Sequence, residues 1–181
     1  GMAATALVLR ALWRDSDQLV PYSTAFDELR KPIPYYDRLG LRVPDVFDDA
    51  NGPGGTVSGL DRYRAVLAHM IGHRRWSRPQ IADNWSPFQR MAVEFFEDCR
   101  IETLLIREYP GLRRLFLALH PKPAADACDP ETTSCLRHRL AMLSRALIDP
   151  GHGYTDADLL EYARRFHELL ADGQEAGTAE M

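Results

Sequence analysis

Two histidines, His69 and His73, are the side chains of this sequence best suited to hold a metal ion. Residues at positions i and i+4 lie on one helix face, about 40° apart, and one class of zinc peptidases binds its ion with this spacing. In those enzymes a glutamate directly after the first histidine is the general base, whereas this sequence has Met70 there. A thioether accepts no proton from water, so the motif does not predict a hydrolytic enzyme. The pair is also typical of a polar helix face or of core histidines that hydrogen-bond to neighbours.

The third metal ligand is expected from an acidic group further along the chain. Its members are Glu94, Glu97, Asp98 and Glu102. Carboxylate oxygens are common partners of histidine at zinc, and we predict Glu94 or Glu97 as the third ligand. The alternative is a structural ion network of Glu97, Asp98, Arg100 and Glu102 that fixes helix positions, because carboxylates among arginines usually form salt bridges.

The two helices that carry these residues are predicted to pack side by side in opposite directions, because a short connection favours antiparallel neighbours. In that arrangement His73 approaches Glu94 and His69 faces Glu97. At least one imidazole nitrogen should then lie within hydrogen-bonding or metal-bridging distance of Glu94, Glu97 or Asp98. The apolar stripes predicted to face each other are Tyr63, Leu67 and Met70 on the first helix, and Phe88, Met91, Phe95 and Cys99 on the second.

Capping signals and apolar periodicity predict a mainly α, multi-helix bundle-like domain. Ser58 caps a helix that ends near Trp76, and Ser86-Pro87 begins a longer one that Pro110-Gly111 ends. Further helices are predicted at 112–119, 131–148 and 155–171.

The segment 20–58 differs from the rest of the chain in its density of proline and glycine. It includes Pro21, Pro44 and the run NGPGG at 51–55, so it is predicted to be irregular, with a possible short hairpin around 35–46. We expect it to pack on one α-helical domain that spans 1–175, with 176–181 as a disordered tail.

Composition excludes several classes of function. The 181 residues carry a net charge of −4, which argues against nucleic-acid binding. No apolar run is long enough to span a membrane. The absence of a signal sequence predicts a cytoplasmic chain with reduced thiols, although Cys128 and Cys135 are close enough in sequence to form a disulfide.

Residues 59–121 resemble the amino-terminal region of NorD/CbbO-type von Willebrand factor A (VWA) domain proteins, which include the nitric oxide reductase activation proteins. The segment Glu97-Asp98-Cys99-Arg100-Ile101-Glu102 is similar to the E-D-A-R-V-E of that family. The sequence at 110–114, PGLRR, is similar to the family's next motif, and 134–150 extend the likeness. The same region is also similar to degenerate zincin-like domains.

The resemblance implies a non-catalytic accessory or adaptor domain. Family members work with a MoxR-type AAA+ ATPase to activate or remodel a target metalloenzyme, such as nitric oxide reductase or Rubisco. Their VWA domain holds a metal through a D-x-S-x-S site, which this sequence lacks. Either that domain lies outside this sequence, or the chain is a stand-alone relative. The alternative function is a degenerate zincin-like metal-binding domain that uses His69, His73 and Glu97, with zinc as the possible cofactor.

Overall fold

Five helices make up most of the part of the chain that the computed structural model describes, namely residues 18–24, 33–81, 83–131 and 134–171. They are α1 (Gly59–Trp76), α2 (Pro87–Glu108), α3 (Leu112–Leu119), α4 (Leu136–Ile148) and α5 (Ala157–Ala171). All five predicted helices in this part of the chain are confirmed, with α4 starting five residues later than expected. The predicted tail at 176–181 lies outside the described residues.

The predicted fold class is wrong, because two small sheets precede the helices and the fold is mixed α and β. The strands are β1 (Leu19–Tyr22), β2 (Tyr35–Asp37), β3 (Gly40–Pro44), β4 (Ala50–Gly52) and β5 (Gly55–Val57). The first sheet has the order β1-β3-β2, with β1 parallel and β2 antiparallel to β3. The other sheet is the β4–β5 hairpin.

The prolines of this region are compatible with strands because of where they lie in the sheet. Pro21 is in β1, an edge strand, where a missing amide donor costs no ladder hydrogen bond, and Pro44 is the last residue of β3. Gly40 closes the β2–β3 hairpin at φ 134°, a conformation that favours glycine. A Cβ atom at Gly40 would also lie 2.2 Å from the carbonyl oxygen of Gln18.

Side-chain caps fix where the two site-bearing helices begin. The Ser58 hydroxyl accepts from the Asp61 amide at the start of α1. At α2, Ser86 and Gln89 form a reciprocal capping box ahead of Pro87. Both caps confirm the starts predicted from the sequence.

Helix α1 separates two hydrophobic cores. Leu67 and Ile71 pack with Leu41 and Val43 of the sheet, and Tyr63 and Met70 lie against this cluster. On its other side, α1 contributes Ala65 and Ala68 to the larger core, whose remaining buried members are Cys99, Leu105, Ile106, Phe116, Met142, Leu143, Leu147, Ile148, Tyr154, Leu159 and Phe166.

The predicted pairing of the two helix stripes is wrong, although Cys99 of the α2 stripe shares the larger core with Ala65 and Ala68 of α1. The α1 stripe of Tyr63, Leu67 and Met70 packs against the first sheet, of which only the β2–β3 hairpin was expected, around 35–46. On α2, the residues nearest to α1 at Gly72 are Ile101 and Leu105. The exposed ring of Phe88 takes no part in this contact.

A disulfide joins Cys128 and Cys135, whose Cα atoms are 5.8 Å apart. Cys135 is also the residue that precedes α4. The expectation of three reduced thiols is therefore corrected to one free and buried thiol, Cys99. No helix in the described ranges is both long and apolar enough to cross a membrane.

Candidate metal centre

The two histidines lie on α1 with their rings almost perpendicular and their Nε2 atoms 3.1 Å apart. The helix places them on one face, one turn apart, as the spacing predicts. Gly72 lies between them at a close contact with α2, since a Cβ atom there would be 3.0 Å from Leu105 Cδ1. The absence of a side chain at Gly72 lets the imidazoles reach the residues of α2.

Asp98 on α2 completes a triangle of possible ligand atoms. Its Oδ1 atom lies 3.2 Å from His73 Nε2 and 3.5 Å from His69 Nε2. At bond lengths of about 2.0–2.2 Å, two ligand atoms of a tetrahedral zinc ion are about 3.3–3.6 Å apart. The three edges of the observed triangle are 3.1, 3.2 and 3.5 Å, so each lies within about 0.2 Å of this range. Asp98 is about half exposed, at 51%, so the triangle opens toward solvent.

A second layer of polar groups holds the other nitrogen of each ring. His69 Nδ1 is 3.2 Å from Glu102 Oε1, and His73 Nδ1 is 2.9 Å from the Ser77 hydroxyl. The Ser77 hydroxyl in turn donates to the Glu97 carboxylate. Metal-ligating histidines commonly have their second ring nitrogen fixed in this way by a carboxylate or hydroxyl.

The direction of these hydrogen bonds determines which ring nitrogen of His73 has a free lone pair directed into the triangle. Because the Ser77 hydroxyl donates to Glu97, it accepts from Nδ1–H of His73, and a neutral His73 then has a bare Nε2 atom. That bare nitrogen faces the carboxylate oxygen of Asp98, which also only accepts. A positive charge between the two atoms, either a further proton or a metal ion, removes this repulsion.

The pKa values of His69 and Asp98 are shifted in the directions that favour a protonated imidazole and an ionised carboxylate in the triangle. Burial opposes protonation of His69, but hydrogen bonds with Asp98 and Glu102 outweigh it and raise its pKa to about 9. Burial also opposes ionisation of Asp98, yet the imidazoles of His69 and His73 beside its carboxylate hold its pKa well below the usual range. Without a metal, a proton on His69 therefore supplies the positive charge at neutral pH.

The predicted contact between the imidazoles and the acidic group is confirmed at Asp98. The particular partners predicted within that group, Glu94 and Glu97, are wrong. Glu97 reaches His73 only through Ser77, and His69 faces Asp98 and Glu102 in place of Glu97. Glu94 is exposed and forms none of the contacts described for the triangle.

The predicted ion network divides between two kinds of partner. Arg100 forms a two-pronged pair with Glu97, at 2.7 and 2.8 Å, and also donates to the carbonyl of Trp76 at the end of α1. Asp98 and Glu102 pair with histidines and not with arginine. The segment 97–102 thus supplies both an arginine–carboxylate pair and the carboxylates that face the imidazoles.

Three further residues belong to the site beyond those predicted as metal ligands. Asp98 was predicted in the ion network and as one possible partner of the imidazoles, but the predicted metal ligands were Glu94 and Glu97. Ser77 lies four residues after His73, a spacing that could have indicated the contact. His120 binds Glu102 with Nε2 2.6 Å from Oε2, and no sequence spacing indicates this, because it comes from the far end of α3.

Comparisons with known proteins give no relative for this chain. No family model matches it, and neither the curated proteins nor the solved structures contain a match.

Proposed function

We propose that this protein is a metal-binding domain that holds one divalent ion with His69 Nε2, His73 Nε2 and Asp98 Oδ1. The observation that carries the proposal is the triangle of these three atoms, whose edges fit one face of a tetrahedral site. Two imidazoles and one carboxylate suit zinc, the ion we propose. The ion replaces the proton on His69 as the positive charge between α1 and α2.

The proposed site has three protein ligands and an open fourth position on the solvent side of Asp98. Zinc sites with an open position can bind water or an incoming group, whereas closed structural sites have four protein ligands. Met70 stands where zinc peptidases have their general base, and its side chain lies against the sheet core. We therefore propose metal binding without peptide hydrolysis.

Elemental analysis of protein purified without a metal-affinity step tests the proposal. We expect close to one equivalent of zinc, and replacement by Co²⁺ should give the visible absorption of a tetrahedral site. His73→Ala and Asp98→Ala should each weaken binding by roughly 10- to 100-fold or more, because each removes a direct ligand.

Glu94→Ala is the matched control, since Glu94 is an exposed acidic residue one helical turn before Asp98. It should bind zinc like the wild type. Metal-free wild-type protein that also fails to take up added zinc would rule out the proposal. Equal zinc affinity in wild type and His73→Ala would do the same.

The accessory role implied by the NorD/CbbO resemblance is our second proposal, with a MoxR-type AAA+ ATPase and its target enzyme as partners. Its support is the position of the motif 97–102, since Glu97, Asp98 and Glu102 all take part in contacts between α1 and α2. A binding assay with a purified MoxR-type ATPase tests it. A shared complex on gel filtration is the expected result, and separate elution would contradict it.

A cytoplasmic location belongs to the second proposal and can be tested through the cysteines. Disulfides are rare in the cytoplasm of most cells, and Cys128 is bridged to Cys135. Thiol titration of denatured protein, isolated with alkylation from its native host, should find three free thiols if the chain works in the cytoplasm. A single thiol, that of Cys99, would contradict this location.

A further inference from the structure

An apolar cavity of about 470 Å³ lies beside the candidate metal centre and has one polar end. Its apolar wall comes from α1, α3 and the residues before β2, and consists of Ile33, Pro34, Ala65, Val66, Met70, Phe116, Leu119 and Pro121. Its polar end consists of His69, Glu102 and His120. A cavity of this size and lining is typical of small-molecule sites, which lie in the range of about 300–1,000 Å³.

The cavity is separate from the triangle of metal ligands, although the two share His69. His73 and Asp98 do not line it. Glu102 lies on the Nδ1 side of His69, whereas the metal ligands meet at Nε2. The cavity is open at its rim, where Ile33 is 65% exposed, so a ligand can enter without disturbing the helices.

The polar end is held in one arrangement by Glu102. Its side chain is only 10% exposed, and its two oxygens are occupied by His69 Nδ1 and His120 Nε2. A carboxylate only accepts, so Nε2 of His120 carries the hydrogen, and Nδ1 is left for another partner. None of the contacts described for His120 uses Nδ1.

The hydrogen-bonding partners available at the polar end determine which polar group a ligand can carry. Both Glu102 oxygens are already paired with imidazoles, so neither a carboxylate nor an ammonium group finds an unpaired group of opposite charge at this end. A neutral hydroxyl can donate to a bare Nδ1 atom or accept from a protonated one. We infer that this cavity binds a neutral amphiphile, an apolar molecule with a single hydroxyl group that meets His120. This site goes beyond the proposed metal function and does not depend on it.

Octan-1-ol, octanoate and octylamine test the inference as probes of equal chain length, with binding followed by chemical-shift changes in zinc-free protein. Octan-1-ol should bind with a dissociation constant on the order of 1 mM or below, at least about fivefold more tightly than the other two. Shifts should centre on Val66, Leu119 and His120. Equal binding of all three probes, or no binding of octan-1-ol, would overturn the inference.

Two variants and one control make the test specific. Val66→Trp fills the cavity and should abolish binding, whereas Arg64→Trp places the same ring at an exposed position of α1 and should not. His120→Gln keeps a donor for Glu102 but removes the ring nitrogen, and should remove the preference for octan-1-ol over octanoate.

His73→Ala separates this inference from the proposed function. It should lose zinc binding and still bind octan-1-ol, because His73 does not line the cavity. Loss of octan-1-ol binding in His73→Ala that remains folded, or unchanged binding in Val66→Trp, would contradict a separate site in this cavity.

Discussion

Arg100 is the residue whose loss should damage the protein most without touching the proposed metal ligands. Its side chain is 8% exposed and that of Glu97 is 13%, so the pair is nearly removed from water. Arg100 also donates to the carbonyl oxygen of Trp76, the last residue of α1. Removing one partner of such a pair leaves an uncompensated buried charge.

We predict that Arg100→Ala and Glu97→Ala each lower the free energy of unfolding by about 3–5 kcal/mol. The measurement is urea unfolding of metal-free protein. The control is Arg164→Ala, because Arg164 pairs with Glu161 and Glu168 on the exposed surface of α5 and should leave stability nearly unchanged. Wild-type stability in both Arg100→Ala and Glu97→Ala would show that the pair is not structural.

His69 should make the stability of the metal-free protein depend on pH. Its folded-state pKa of about 9 lies above the ordinary value of 6.5, so folding favours the protonated ring. This contribution is fully present below pH 6.5 and is lost as the pH rises through 9. We predict a fall on the order of 3 kcal/mol in the free energy of unfolding over that interval.

Urea unfolding across this pH range checks the prediction. His69→Gln should flatten the dependence, whereas His152→Gln, outside the cluster, should retain it. If zinc replaces the His69 proton, its apparent affinity should rise by up to about tenfold per pH unit over the same interval. A stability profile with no slope between these pH values would contradict the charged state of His69.

The sequence predicted the contact between the histidine pair and the acidic group, but the predicted ligand Glu97 is one residue away from Asp98, the third ligand that we propose. Consecutive helix residues point about 100° apart, so this choice depends on the rotation of α2 about its axis. Apolar residues surround much of α2, and its sequence allows several rotations. The structure turns the stripe of Asp98, Ile101, Glu102 and Leu105 toward α1 because Ile101 and Leu105 pack beside Gly72. That packing is a tertiary contact, and the periodicity of apolar residues in the sequence does not predict it.

At the scale of elements, the helices and the β2–β3 hairpin were predictable, and the other strands were not. Ser58, Ser86 and Pro87 are local signals that act within one turn of the chain. The strands are three to five residues long, and β1 joins β3 across an intervening segment. Outside that hairpin, short strands with little alternation are not distinguished from irregular chain by any local signal.

Gly72 is the point at which the contact between α1 and α2 can be tested. Glycine inside a helix costs about 1 kcal/mol relative to alanine, and here it allows the close approach to Leu105 and Ile101. Gly72→Val would push these side chains apart and widen the triangle between His73 and Asp98. We predict a loss of about 1–3 kcal/mol in stability, typical of overpacking, together with weaker zinc binding.

Urea unfolding and zinc titration of Gly72→Val measure both effects. Arg64→Val places the same side chain at an exposed position of α1 and should change neither. Unaltered zinc affinity in a destabilised Gly72→Val protein would mean that the spacing of the two helices does not control the site.

At the scale of the whole molecule, α1 connects parts that would otherwise be separate. The sheet has its own small core with Leu67 and Ile71, and the other helices have a second core that includes Ala65 and Ala68. Because all four residues belong to one helix, unfolding either core should disturb the other. The histidines lie on this same helix, so the proposed metal centre depends on both cores.

We predict that Leu67→Ala lowers the free energy of unfolding by about 2–5 kcal/mol, because a buried leucine leaves a cavity in the sheet core. The loss should appear in both cores. Helix circular dichroism and hydrogen exchange of the β3 amides, measured over a urea series, should give the same midpoint in the wild type and the same lowered midpoint in Leu67→Ala. Leu60→Ala, at a position that is 53% exposed on the same helix, should shift neither. A lower midpoint for β3 exchange alone would show that the sheet unfolds independently, in which case α1 does not couple the two cores.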